Sequence, residues 1–454
     1  MKTIYPALQF YVPTNLDLSI IPEFKEKHQE KYLWFIHSIL FSSLRNKNSF
    51  NGYVNLNKEL LVKYIGQKFY TDVKERLIKY GFIELNKSYS PGAFSKSYRL
   101  TRKYRNTGLK AIDITKQTYC RKIFNSNSEY LGEIFKDNIL LQKEFLALTY
   151  AKIDYEKAME YINKNYNPTS PEYKNRFIAI EQFNRMYQTE FSNGIYKTDF
   201  TFVENKGRVY TPFTMLARDL EQFIYFSGYE NDEVVTLDMP NSQLCFYSEL
   251  IESKKRIHIG SNNIDDNRRI IKKIESAPTE KNHHTNEIIY QSYIVPYVYH
   301  FSNNWEDYIF NGLGYERMMY LSKWKGKTSG HTKEERQEFK EQFFGQLFYN
   351  KYNDRLTDLE MVFMEHHEET AKALRELKQK LGNKLLAVEV QRLESNFFHK
   401  IVVGYIVRNY PNVPFIIKHD SISLPSSEAS YLAIELNELV KDFFRCDNLK
   451  LKLS

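Results

Sequence analysis

Between residues 31 and 101 the spacing of apolar side chains changes once, at Gly81, and that change sets the tightest limit on what this stretch can fold into. From Lys31 to Ser43, and again through LNKELLVKYI (56–65) and KFYTDVKERLIKYG (68–81), apolar residues recur at helical spacing. Such spacing puts the apolar side chains on one face, so each segment predicts an amphipathic helix. Gly81 predicts the stop of the last of them. Beyond it, FIELNKSYSPGAFSKSYRLT (82–101) alternates apolar and polar residues on both sides of a Pro-Gly turn, which predicts a hairpin.

The rest of the chain reads more coarsely. Its 454 residues exceed one typical core, so two or three domains are expected. Residues 106–200 read as mostly helical, divided by the Asn-Pro-Thr-Ser-Pro break at 167–171. The polar segment 261–288 predicts a long loop or insertion. The expected fold class is α+β, predominantly helical.

Composition narrows the partners. The net charge of +8 would attract a polyanion without identifying one. Ten basic residues (Lys87, Lys96, Arg99, Arg102, Lys103, Arg105, Lys110, Lys116, Arg121, Lys122) against one acid, Asp113, lie between Asn86 and Lys122. That run is either a solvated face or a surface that tracks phosphates. The 35 Tyr and 32 Phe must mostly form core, with some left as platforms for bases. Cys120, Cys245 and Cys446 are too few for a disulfide framework and too scattered for a metal cluster, so a reducing cytoplasm is the simplest expectation. No apolar run approaches the ~18 residues of a membrane span, and MKTIYPALQFYVP has no continuous apolar leader. A non-membrane, non-exported chain is expected.

Three separated segments carry chemistry when taken together. EVVTLDMPNSQ (233–243) is a strand-like run that ends at Asp238. In RQEFKEQFFGQLFY (336–349), Arg336, Lys340, Phe344 and Phe348 recur every four residues, the spacing of one helix face. FIIKHDSISLP (415–425) is a second strand-like run that leads into His419 and Asp420. Each has an ordinary explanation alone: a strand-end turn, an amphipathic helix, a solvated turn.

Their joint order, strand-Asp, basic-aromatic helix, strand-His-Asp, resembles motifs A, B and C of the right-hand polymerases, the family A DNA polymerases and single-subunit phage-type RNA polymerases. Arg336, Lys340, Phe344 and Gly345 match the helical motif, with Phe348 where those families usually carry Tyr and Tyr349 beside it. His419-Asp420-Ser421 matches the RNA-polymerase form of the last motif. ENKGRVYTP (204–212) and VQRLESNFFHKIV (390–402) resemble two further segments, on which Arg208 and Gln391 would contact template or primer. The resemblance spans about residues 200–450. Residues 40–105 separately resemble the winged-helix domains of plasmid replication initiators. There Lys68, Lys74, Arg76 and Lys79 would lie on the groove helix, and Lys96 and Arg99 on the wing.

These resemblances imply a DNA-binding winged helix (1–105), a helical thumb-like region (106–200), a palm split between 201–260 and 385–454, and fingers at 261–384. They imply that Asp238 and Asp420 hold two Mg2+ ions and that nucleoside triphosphates and a nucleic-acid template are the partners. Arg336 and Lys340 would grip the triphosphate, with Lys340 protonating the leaving pyrophosphate. Phe344 and Phe348 would stack the incoming nucleotide, and His419 would touch the primer terminus. The DNA enzymes bar ribose with a Glu after the first motif; here gap-free counting gives Gln243, and alignment on the Ser-Gln pair gives Cys245, so the sugar stays open. The alternative is a DNA-binding replication initiator with a non-catalytic palm-like half. His366-His367 in EHHEE reads as a solvated helix face, and His283-His284 sits in the polar segment without a second ligand pair. No phosphate-cradling Gly loop occurs, which argues against a helicase or kinase.

Overall fold

The computed structural model describes residues 5–45, 52–86, 96–186, 200–203, 207–260, 309, 314–444, 446 and 449–453. It is a predominantly helical α+β protein with small antiparallel sheets, and its described buried side chains gather into three cores.

The first module runs β1 (Leu8–Pro13), α1 (Gln29–Arg45), β2 (Val54–Asn55), α2 (Lys58–Ile65), α3 (Gln67–Lys79), β3 (Ile83–Asn86), β4 (Ser97–Leu100), the single turn α4 (Arg102–Arg105) and β5 (Leu109–Ile114). Asn57 caps α2 by accepting from the amides of Glu59 and Leu60 at 2.7 and 3.3 Å. Gly81, at φ +72°, ends the third helix as its position predicts. The apolar faces of α1 and α3 close over the sheet β2-β4-β3 through Phe35, Ile36, Leu77, Phe82 and Tyr98. The predicted hairpin strands are formed, and their Pro91-Gly92 tip lies outside the described residues. The module does not end at residue 105. β1 pairs along its whole length with β5, and Tyr119, Cys120, Ile123 and Phe124 complete the core. A strand with unpaired backbone groups requires a neighbour, and β1 finds it a hundred residues on (Leu8 opposite Ile114).

The middle module comprises α5 (Gln117–Lys136), α6 (Ile139–Leu148), β6 (Ala151–Ile153), α7 (Tyr155–Asn165), α8 (Pro171–Met186), β7 (Thr201–Val203), β8 (Arg208–Tyr210) and β9 (Ile224–Phe226). The break predicted at 167–171 separates α7 from α8, with Pro171 as the first helical residue, where its missing N–H costs nothing.

The third module holds β10 (Val234–Asp238), α9 (Ser242–Gly260), α10 (Gly314–Leu321), α11 (Lys333–Phe344), α12 (Asp358–His366), α13 (Glu368–Leu381), α14 (Asn383–Asn396), α15 (Val403–Asn409), β11 (Ile416–Lys418), β12 (Ser421–Pro425), α16 (Ser426–Phe444) and β13 (Lys452–Leu453). A π-helical turn, Gly345–Tyr349, continues α11, and another, Phe397–Val402, joins α14 to α15. The sheet order β11-β12-β10-β13 is antiparallel throughout. Both the polar segment 261–288 and His283-His284 lie outside the described residues. The EHHEE segment is not one solvated helix: the backbone breaks at His367 (φ −139°), which turns inward against Phe363 and is buried. Among the described residues, no helix is long and apolar enough to cross a membrane.

Candidate active site

Strand alternation in β10 buries Leu237 and sets Asp238 on the other face, at the strand's end. Asp238 pairs with Ser421 of β12, and the amide of Met239 donates to the carbonyl of Asp420 at 3.1 Å. Two carboxylates 182 positions apart in the chain therefore stand at the same end of adjacent strands. His419 and Asp420 are the two turn residues joining β11 to β12, closed by the Lys418–Ser421 pair. His419 holds φ +58°, a left-handed conformation that costs a non-glycine residue about 1–3 kcal/mol. Asn241, just past Asp238, does the same at φ +54°. Strain of this kind concentrates at functional sites.

Both carboxyls are half-buried and both resist ionisation. Burial, then the negative charges of Glu394 and Asp238, push Asp420 up to about 7, against the pull of Lys340. Asp238 is raised by burial and drawn back down by Arg218 and Lys340. Lys340 thus acts on both members of the pair.

The helix that carries Lys340 starts where a capping box places it. Thr332 accepts from the Glu335 amide at 3.2 Å, and the Glu335 carboxylate accepts from the Thr332 amide at 2.9 Å. Arg336 and Lys340 are exposed, over the Tyr315 ring at 5.6 and 5.5 Å. Arg336 pairs with Glu316 at 2.5 Å, an exposed bridge worth little. Phe344 and Phe348 are buried, 5% and 2% exposed, and Phe348 packs on Tyr247 with ring centroids 4.0 Å apart. This corrects their expected role on the nucleotide: steps of four residues drift about 40° each around a helix, so a stripe that starts in solvent ends in the core. The exposed ring is Tyr349, 44% accessible, stacked on Phe344 and 3.5 Å from Gln243 Oε1 through its hydroxyl. Gln243 is accessible, whereas Cys245 is sealed in the core, so only the gap-free count leads to the site.

Behind the carboxylates lies a network that the sequence reading did not anticipate. Glu394, 2% exposed, accepts from Arg208 Nη2 at 2.5 Å and Ser242 Oγ at 2.7 Å. It ties β8, the start of α9 and α14 together, in electrostatic reach of Asp420. Arg208 is therefore engaged by a carboxylate, not open along its whole fork, while its Nε has no partner among the described residues. Gln391, one turn before Glu394, likewise keeps a buried, unpaired Oε1. Gly207 (φ +66°) allows the approach, since a Cβ there would lie 3.2 Å from Ser395 Oγ. The one available signal for Glu394 was an acid inside an apolar helical stretch, which must find a partner when buried.

His419 is half-buried, its ring edge-on to Tyr210 at 6.2 Å, and burial lowers its pKa. A cavity of about 10 Å³, room for roughly one water, is lined by Arg208, Glu394, His399 and His419. On the first module, Lys68 and Lys96 are exposed and Lys74 leans over Tyr70, but Arg76 is bound to Asp72 and the Pro22 carbonyl, and Arg99 to Glu84 at 2.6 Å. Those two arginines are engaged within the module, Arg76 by an acid on its own helix and Arg99 by one across the hairpin.

No protein-family model matches the chain, and no curated protein matches it. The site must be read from its own chemistry. The two carboxylates, of which Asp238 adds to the proton affinity of Asp420, make a pair of oxygen donors of the kind a hard divalent cation takes. Mg2+ fits this donor set.

Proposed function

We propose that the protein is a template-directed nucleotidyltransferase, a right-hand-type polymerase with an N-terminal winged-helix module. The observation that carries this reading is the placing of Asp238, at the end of β10, beside Asp420, in the turn that leads into the neighbouring β12, with Lys340 in electrostatic reach of both. In it, Asp238 and Asp420 hold the Mg2+ ions, whose chemistry is activation of a 3′-hydroxyl and neutralisation of the triphosphate. Arg336 exchanges Glu316 for the β- and γ-phosphates, and Lys340 supplies a proton to the departing pyrophosphate. Tyr349 takes the base-stacking role first expected of Phe344 and Phe348, with Gln243 beside it at the sugar. Arg208, Gln391 and His419 face the primer-template, and Lys68, Lys74 and Lys96 meet duplex DNA.

The test is incorporation on a primed template with Mg2+, NTPs and dNTPs compared in parallel. Extension by the native protein and its loss in Asp420→Asn support the reading. A protein that binds duplex DNA but extends no template with either sugar series is a DNA-binding initiator instead.

A further inference from the structure

The loop that follows Tyr349 carries a second exposed ring. Lys351, Tyr352, Asn353, Asp354 and Arg355 are all solvent-accessible, and Tyr352 shows 36% of its surface in a chain whose aromatic residues are mainly core. An exposed ring is ordinary when its loop is loose; this one is braced. The Arg375 guanidinium lies 4.9 Å from the Tyr352 ring centroid, and its Nη2 donates to the Asn353 carbonyl at 2.7 Å. The Asn353 side chain accepts from the Arg355 amide at 3.2 Å, closing a tight turn. Arg375 is held in turn by Glu360 at 3.7 Å. Tyr349 is braced likewise, by the Phe344 ring beneath it and by Asn383, which donates to its carbonyl.

Rings fixed from behind lose little freedom when a flat partner settles on them. The cations Lys351 and Arg355 flank Tyr352, against one acid, Asp354. A stacking face bordered by positive charge suits unpaired nucleic acid, whose bases expose π faces and whose backbone is anionic; in a duplex those faces are covered. The Tyr349 hydroxyl lies 3.5 Å from Gln243 Oε1, five residues past Asp238, so the ledge begins beside the carboxylate site.

We infer that the ledge from Tyr349 to Arg355 binds single-stranded template as it enters the site, with Tyr352 stacking a base and Lys351 and Arg355 neutralising backbone phosphates. The identity of the strand as template rests on the polymerase reading; the stacking does not.

The experiment uses the full chain and a labelled single-stranded oligonucleotide, followed by anisotropy, with excess unlabelled duplex to occupy the N-terminal module. Tyr352→Ala weakens binding by about 5- to 100-fold, and Tyr352→Trp restores it. Lys351→Ala with Arg355→Ala flattens the slope of log affinity against log salt by about 1.4, two single-strand phosphates. Binding by Tyr352→Ala equal to the native protein, or equal loss in the Ala and Trp variants, overturns the inference. On primed templates, Tyr352→Ala loses at least fivefold more extension with a long 5′ overhang than with a one-nucleotide overhang; equal losses overturn the placement at template entry. If the native protein binds single strands through Tyr352 yet extends nothing, the ledge stands and the polymerase reading falls.

Discussion

In the N-terminal module the described core is made almost wholly by residues 8–124, with Phe177 and Ile178 added from farther on, whereas the carboxylate site joins β8, β10, α11, α14 and the β11–β12 turn, between residues 208 and 420. The cations differ in the same way. Arg76 and Arg99 are claimed by acids on their own helix or hairpin, while Lys340, over the Tyr315 ring, acts on carboxylates that arrive from other segments. Local contacts make a stable unit; contacts between distant segments make a site, because they bring together charges that the unfolded chain keeps apart.

The largest effect separates the regions by activity. Asp238→Asn or Asp420→Asn should lower incorporation by about 10⁴-fold, equivalent to about 5.5 kcal/mol, while duplex binding by the N-terminal module stays unchanged in a filter or anisotropy assay. Loss of both together would mean the regions act as one.

Next comes the separation by stability. Phe35→Ala, at a position with 0% exposure, should destabilise the first module by about 3–5 kcal/mol. Calorimetry should show an early transition for that module, with protection of the third module's amides retained in hydrogen exchange. A single merged transition would erase the distinction.

A smaller effect reports on the charge pair. Asp420 has its folded pKa raised to about 7, above its unfolded value, so its contribution to stability is present below about pH 4 and lost as pH rises through about 7. Without divalent ions, Asp420→Asn should therefore be more stable than the native protein at pH 8 by about 1–2 kcal/mol, discounted for half-exposure. That gain should vanish near pH 4. A gain independent of pH would show that burial of the side chain, not its charge, is responsible.

The smallest effect lies on α3, the helix proposed to enter the DNA groove. Lys68→Ala and Lys74→Ala should each reduce the salt slope of duplex binding by about 1, with no change in single-strand binding.

How much of this was legible from residue order follows the same division. The helices read at 31–43, 56–65 and 68–81 form as Gln29–Arg45, Lys58–Ile65 and Gln67–Lys79, and the hairpin strands and the strand ending at Asp238 form from the same periodicity, while the second strand stops at Lys418 and leaves Asp420 in a turn. The pairing of β1 with β5, the inward turn of His367 and the burial of Phe344 and Phe348 did not follow, because each depends on what packs opposite. Glu394 was least visible. Its role exists only once Arg208 and Ser242 arrive from 186 and 152 positions away.

Residue order alone determined which segments become helix and strand, where they stop, and that two acids end apolar runs, since these depend on local backbone preference and side-chain period. Tertiary structure decided that the two acids become neighbours, that Lys340 reaches both of them while Arg76 is bound to Asp72, and that Tyr349 and Tyr352 stay exposed while Phe344 and Phe348 are buried. Burial and charge proximity are properties of surfaces brought together, and no single segment contains them.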